Sequence, residues 1–458
     1  MATMEEQLAE IPKSTAIAVI DRPERKAKIQ ESDAIPYREV EVLSKEEEKH
    51  QHQLKKKAKK PATSFVSSAA LTSRQIIGVE VDSETLFGFL AAAERIVPVD
   101  KETPILSSIK LTHEPESERM FIEAVSTKIW TAVAIKVAPR GSQGFEVMVP
   151  ARHAKNIVNA MRDSFKTVLI GMSDGGFWIG QHCVPGGGNP RDYPGRPLIR
   201  QWDTRAVVPA FYFDEICSRV LTSTSKDPTK PGLHGVLLDF SVEKDRTVCT
   251  AVSSDGARMH IFELPQMRIQ SKSPVPPSIM VGEHFFRYLR TVANREWTAI
   301  EISEKQISGK GEDYFAVAGA KMKGAAGNGL DKWRSVDVDY PGCWVVDRKE
   351  IERVIRRAKT EGTDERIELR IDVDHEKLEV WFYNNESRKI HESIGAKRFD
   401  GPSIVDVPIN VNFLLDAVVA CKSGLIRLGF AGPKEQGRSP VTIRGEDDQF
   451  KAIVMPIG

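Results

Sequence analysis

Asp372, Asp374, His375 and Glu376 place four metal-ligand side chains within five residues. Carboxylates and an imidazole at that spacing could hold a divalent cation. The run lies between two strand-like stretches, however, and reads better as the turn of a β-hairpin. Gly186-Gly187-Gly188 and the Gly324–Gly329 stretch are glycine-rich, but neither carries the Lys-Ser/Thr that a phosphate-binding loop needs. Ser254-Asp255 has no histidine beside it at nucleophile spacing, although a triad need not be local in sequence. No catalytic residue, metal or cofactor is therefore expected. What recurs instead is positive charge on helix-like stretches. Arg95; Arg152, Lys155 and Arg162; Arg219; Arg287 and Arg290; and Arg353, Arg356 and Arg357 are interleaved with apolar residues. Spacing alone also fits the solvated face of any ordinary helix.

These side chains need elements to carry them. Three segments join a short extended lead-in to an amphipathic helix. They run through Leu86, Phe89, Leu90 and Ala93; through Phe213, Ile216 and Val220; and through Ile351, Val354, Ile355 and Ala358. Spacings of three and four put each set on one face. A second motif alternates with the first. Val147-Met148-Val149-Pro150, Ile279-Met280-Val281-Gly282 and Val405-Asp406-Val407-Pro408 each precede another apolar-faced helix. The unit helix–strands–helix–strands is thus written three times, with a period of roughly one compact domain. The reading is α+β, with a charged extension over 1–75 and domains over 76–203, 204–338 and 339–458. The extension holds only two aromatics, Tyr37 and Phe65, and a lysine-rich run from Lys45 to Lys60, so it is expected to be disordered. That run reads as a solvated tail or as a tether for DNA or a partner.

The chain has 458 residues, and its 65 Lys+Arg nearly cancel its 64 Asp+Glu. A non-specific nucleic-acid coat would be more basic, so any positive surface must be local. Five scattered cysteines argue against a disulfide framework or zinc knuckle and suit a reducing cytoplasm. No apolar run approaches the ~20 residues of a membrane helix, and no secretory signal is visible.

Val248–Pro265 reads as a hairpin: an apolar strand, Ser254-Asp255-Gly256 as its turn, then Arg258-Met259 and a second strand. This resembles the central hairpin of bacterial beta sliding clamps, the processivity subunits of DNA polymerase III. Further motifs follow in order: Thr103-Pro104-Ile105-Leu106, Val149-Pro150-Ala151-Arg152, Asp192-Tyr193-Pro194, Leu233-His234-Gly235-Val236, Ile409 to Asp416, and Val454-Met455-Pro456. The resemblance covers about residues 76–458. Val125-Ser126-Thr127 and Leu330-Asp331-Lys332-Trp333-Arg334 depart from the family pattern.

The resemblance implies three clamp domains per chain, each with two helices packed on β-sheets, closing into a ring as a head-to-tail homodimer. It implies no enzymatic activity. It implies a protein that encircles double-stranded DNA without reading sequence, with the helix arginines named above on the inner wall and Lys226 and Lys230 in a loop facing DNA. It also implies a groove for short peptides of the DNA polymerase III catalytic subunit and clamp loader. Carried over, that groove would use Leu233, Ser254, Gly256, Arg258, Met259, Asn410, Phe413, Val441, Val454, Met455 and Pro456. A clamp-like scaffold that does not encircle DNA and an α+β enzyme with an unrecognised site are the alternatives.

Overall fold

Strand β1 (Ile77–Asp82) runs directly into helix α1 (Ser83–Glu94), and Asp82 makes the handover. Its carboxylate accepts a hydrogen bond from the Thr85 N–H at 2.8 Å, which satisfies a donor that the first helical turn leaves open. Leu86, Leu90 and Ala93 then face inward at helical spacing. Each large apolar side chain so buried contributes ~1.5–3 kcal/mol. The same handover recurs at Asp347, which caps the helix α6 described below. The computed structural model describes residues 76–457 apart from 99–103, 142, 174–175, 198–200, 244–245, 274–277, 294–296, 323–328, 341, 373–374, 385–388, 403–404, 433–437 and 447. The charged extension, most of the Gly324 stretch, Thr103 and the Asp374 position lie outside the described residues.

After α1 the first repeat continues with β2 (Ser108–His113), β3 (Arg119–Val125), β4 (Ile129–Lys136), β5 (Ala138–Arg140), β6 (Phe145–Pro150), α2 (Ala151–Arg162), β7 (Thr167–Ser173), β8 (Gly176–Ile179) and β9 (His182–Val184). The second holds β10 (Thr204–Pro209), α3 (Phe211–Glu215), β11 (Gly235–Glu243), β12 (Arg246–Ser254), β13 (Arg258–Glu263), β14 (Arg268–Ser271), β15 (Ile279–Gly282), α4 (Glu283–Val292), β16 (Trp297–Ile302), β17 (Gln306–Lys310) and β18 (Tyr314–Met322). A short helix α5 (Trp333–Val336) leads to the third. That repeat holds β19 (Cys343–Asp347), α6 (Arg348–Glu361), β20 (Arg366–Asp372), β21 (Lys377–Tyr383), β22 (Lys389–Phe399), β23 (Asp406–Asn410), α7 (Val411–Ala420), β24 (Leu425–Gly429), β25 (Val441–Gly445) and β26 (Phe450–Val454).

Two sheet-edge joints weld the repeats together. In the first, β4 pairs antiparallel with β18, with Thr131 opposite Ala316. In the second, β13 pairs antiparallel with β26, with His260 opposite Ala452. The helices pack on one side of the sheets. On the other side the connecting segments cover smaller apolar clusters. Tyr193 closes one over Trp130 and Met148, and Leu330 and Trp333 close the other over Met259, Ile261 and Ile453.

Two expectations meet a more particular structure. The first helix of the second repeat is α-helical for only five residues, then widens into a π-turn over Ile216–Val220. The run beginning at Asp372 lies between paired strands β20 and β21, with Asp372 opposite Lys377. Among the described residues no cluster of His, Cys, Asp or Glu could hold a metal ion, and no helix is long and apolar enough to cross a membrane.

Candidate nucleic-acid wall and peptide groove

Neighbouring helices form one continuous row, in the order α2, α1, α4, α3, α7, α6. Apolar faces turn to the sheets, so the opposite faces carry the charge. Arg95, Arg152, Arg287, Arg290, Arg353, Arg356 and Arg357 are exposed on that row, and Lys155 and Arg162 are half-buried. Most are moderated by nearby carboxylates. Arg287 pairs with Glu283 at 2.9 Å, Arg290 with Asp214 at 2.8 Å and Arg356 with Glu352 at 2.7 Å. Lys155 pairs with Glu94 at 2.6 Å, while Arg353 and Arg357 share Glu392. Arg162 lies 4.2 Å from the centre of the Phe87 ring. Arg95 and Arg152 make no ion pair with a described residue. Arg95, His284, Arg287 and Arg290 line a 320 Å³ cleft between α1 and α4. Burial, reinforced by Lys128, holds the His284 imidazole below its usual pKa.

Arg219 is a correction. It is only 4% exposed and does not stand on the row's outer face. Its guanidinium reaches Glu215 at 2.7 Å and Asp448 at 2.5 Å, the latter from the third repeat. The π-turn supplies the reason: an extra residue in the turn rotates Arg219 inward. A row that reads as basic in every repeat is therefore interrupted at α3 and α7, on the second joint.

The hairpin of β12 and β13 forms one side of the second site. Gly256 has φ +97°, a conformation that a side chain would strain. Ser254 Oγ accepts from the Gly256 N–H at 3.0 Å and donates to the Arg258 carbonyl at 2.6 Å. Asp255 accepts from the Ala257 and Arg258 N–H groups, each at 3.0 Å. Arg258 then crosses to the third repeat. It donates to Asp255 at 3.0 Å, to Asp416 at 2.5 Å and to the Thr222 carbonyl at 2.8 Å, and lies 4.5 Å from the Phe413 ring centre. Its guanidinium is thus committed to partners inside the protein, and it serves first as a brace.

The other side is built by α7 and the chain end. Asn410 caps α7, accepting from the Asn412 and Phe413 N–H groups at 2.9 and 3.2 Å. The Met455 N–H donates to the Ala257 carbonyl at 2.9 Å, and the Ile457 N–H to the Pro408 carbonyl at 3.0 Å. These bonds bring Met455 and Pro456 beside the hairpin tip. Leu233, Phe413, Met455 and Pro456 are half-buried and Gly256 is exposed, so they would form the accessible lining of a candidate groove. Met259 and Ser254 are buried beneath it, while Val441 and Val454 pair within the core at 1% and 0% exposure. They would lie beneath the candidate groove without lining it. Exposed Lys230 sits at its lip, its Nζ 3.5 Å from the Asp255 carbonyl, and exposed Lys226 lies four residues earlier.

Several groups that matter here carry no motif. His260 is fully buried under the joint, with Nδ1 2.6 Å from the Arg219 carbonyl, so Nδ1 carries the proton. Burial holds its pKa down at about 4. Asp448, Asp416 and Thr222 are equally silent in sequence because their partners are distant in the chain. Cysteine chemistry is disfavoured by burial, which pushes the Cys217 and Cys421 thiols up to about 12.

Residues 339–458 match the family model described as DNA polymerase III beta subunit, C-terminal domain. Comparison with curated protein sequences gives no match. Among solved structures, the DNA polymerase III beta subunit of Thermotoga maritima superposes with a TM-score of 0.70 at 16% identity, over 83% of this chain and 99% of that one. The sliding clamp of Bartonella birtlesii, solved bound to griselimycin, gives 0.68 at 18% identity, over 83% of this chain and 100% of that one. The Caulobacter crescentus sliding clamp gives the same values. The chain thus has the fold of the bacterial beta sliding clamps, and its last 120 residues also carry the sequence pattern of that family's C-terminal domain.

Proposed function

We propose that the protein is a DNA sliding clamp, a non-catalytic processivity factor that encircles duplex DNA and tethers a DNA polymerase. One observation carries this reading: within a clamp fold, six helices form a continuous row whose solvent side carries arginines from all three repeats, except at α3 and α7. Guanidinium groups half-neutralised by neighbouring carboxylates suit weak, exchanging phosphate contacts, which carry no sequence information. The three repeats are domains over 76–203, 204–338 and 339–458. Two such chains close head to tail as a homodimer, the first domain of each meeting the third domain of the other. The groove around Leu233, Gly256, Phe413, Met455 and Pro456 takes short peptides with apolar anchors, of the Gln-x-x-Leu-Phe kind, from the DNA polymerase III catalytic subunit and the clamp loader.

The test is retention on nicked circular plasmid after loading. A clamp stays bound until the plasmid is linearised and then slides off. Equal retention on circular and linear DNA would sink the reading. A clamp-like scaffold that does not close is the second reading. The three-residue edge strand β9 favours it.

A further inference from the structure

In the second repeat, β14, β10, β16 and β17 lie side by side. Ala206, Ile300 and Ile302 turn toward the helices and are buried, so the alternate residues Arg205, Val207, Ala299 and Glu301 face the other way. That outer face carries cations laid on aromatic rings. Trp202 stands just before β10, with the Arg205 guanidinium 5.0 Å and the Lys272 Nζ 4.7 Å from its ring centre. At the far end of β10, Trp297 lies opposite Pro209, and the Arg268 guanidinium is 4.9 Å from its ring centre. Both indoles are half-buried, while Arg268 and Lys272 are exposed. The two indoles are roughly 20 Å apart along the strand. Nearer the first joint, the exposed Arg196 lies 3.7 Å from the Phe315 ring centre.

Folding does not ask for this set. Strand pairing matches Arg205, Arg268 and Trp297 to Gly78, Ala138 and Thr167 in the first repeat, and to Cys343, Lys397 and Leu425 in the third. Those repeats build the same ladder without tryptophan on its outer face. Charge balance on the face is also one-sided. Arg205 pairs with Glu301 at 2.7 Å, but Arg196, Arg268 and Lys272 make no ion pair with a described residue. A cation resting on an exposed ring is held only weakly, so it can leave for a stronger anion and uncover the ring.

We propose that this outer face binds single-stranded DNA, at a surface separate from both the helix row and the peptide groove. Its two kinds of group match the two parts of an unpaired strand. Arg268, Lys272 and Arg196 meet phosphates, and Trp202 and Trp297 accept bases on their ring faces. Duplex DNA offers the same phosphates but keeps its bases stacked inside, so it cannot use the indoles. An acidic peptide would likewise meet the cations and leave the indoles idle. The span between the indoles suits a few nucleotides, with no side chain placed to read base edges, so sequence preference should be slight. This surface does not depend on ring closure, because every residue in it belongs to one chain.

The test uses the full chain and a dye-labelled oligo(dT) of about twelve nucleotides, followed by anisotropy and by tryptophan emission. Wild type should bind it, lose affinity as salt rises, and show quenched emission as bases stack on the indoles. Arg268→Glu with Lys272→Glu alters two exposed side chains and should weaken binding about tenfold or more. Trp202→Ala with Trp297→Ala should weaken it as much, and Trp202→Phe with Trp297→Phe, which restores the ring faces, should recover most of it. Urea unfolding checks that each variant folds. Reversing Arg152, Arg287 and Arg356 to Glu should leave most of the oligonucleotide binding, and a Gln-x-x-Leu-Phe peptide should not displace it. Retention of the outer-face variants on circular plasmid should match wild type, so this proposal and the clamp reading fail separately. Absence of oligonucleotide binding overturns the proposal. So does binding that the peptide displaces, or that the helix-row reversal abolishes while the outer-face variants keep it. Binding that poly-glutamate displaces and that both tryptophan variants retain would make the face a surface for acidic peptides, and overturns it too.

Discussion

The two internal joints share a backbone and differ in nearly everything else. In the first, Ile129, Trp130 and Thr131 face Ala318, Val317 and Ala316, and the Tyr288 hydroxyl bonds the Ala132 carbonyl at 3.2 Å. Trp130 fills the outer side and donates its N–H to the Pro194 carbonyl at 3.2 Å. In the second, the same places hold Arg258, Met259 and His260. A bulky indole becomes a flexible thioether, and an aliphatic side chain becomes a half-buried guanidinium braced on Asp416. The first joint is plugged. The second keeps Met259 beneath the proposed groove and is braced by charge. Apolar packing resists separation without much directionality, whereas a hydrogen-bonded ion network has one good geometry. The joint beneath the proposed groove is the one whose two sides must stay in register.

The largest effect should come from breaking that network. Arg219→Ala removes the buried cation shared by Asp448 and Glu215 and should cost about 3–5 kcal/mol in urea unfolding. Trp130→Ala in the first joint should cost a similar amount through its cavity, roughly 3–5 kcal/mol. The two should part on peptide binding, which Arg219→Ala weakens, because its side-chain tie to Asp448 of the third repeat holds the second joint together, and Trp130→Ala preserves. Equal loss in both would mean that the groove depends on global stability and not on the second joint.

Next comes pH. His260 is neutral when folded and titrates at about 4, against about 6.5 when unfolded. Between these values the unfolded chain binds the extra proton. Its contribution to stability is therefore complete above pH 6.5 and lost as pH falls toward 4, in all roughly 3 kcal/mol. His260→Asn should flatten the difference in unfolding free energy across that window relative to wild type. Parallel curves for the two proteins would remove His260 from the account. Smaller again is Met455→Ala, which removes accessible packing from the groove and should weaken a Gln-x-x-Leu-Phe peptide about tenfold, roughly 1.4 kcal/mol, by calorimetry with the fold unchanged.

The contrast between joints also shows what the sequence could reveal. Helix faces at Leu86 and Leu90, or Ile351, Val354 and Ile355, were legible because burial follows a 3.6-residue period. The turn at Gly256 was legible because few residues tolerate its φ. Arg219 was not: a regular helix would leave it outside, and the π-turn that turns it inward has no pattern of its own. Arg258 was legible as a groove residue but not as a brace, since Asp416 is 158 residues away. Val441 and Val454 look like any strand residues, and only the pairing of β25 with β26 puts them in the core. Trp333 stood out as a departure, and its reason is a hydrogen bond to buried Asp239 at 2.8 Å.

The smallest effect on stability should fall on the helix row, and it sharpens the comparison from outside the joints. Arg152, Arg287 and Arg356 are exposed, and the pairs of Arg287 with Glu283 and Arg356 with Glu352 lie within one helix each. Such pairs contribute at most about 0.5 kcal/mol. Reversing the three residues to Glu should thus leave urea unfolding nearly unchanged. Retention on circular DNA should nevertheless shorten, and the slope of log affinity against log salt should fall by roughly 0.9 for each phosphate the protein no longer neutralises. Because α3 and α7 present no exposed arginine, reversals on α2, α4 and α6 should act independently. The same test on Asp416, which faces the second joint, should alter the groove and not the salt slope. A salt slope unmoved by the triple reversal would take the arginines off the DNA path and leave the row as a solvated surface.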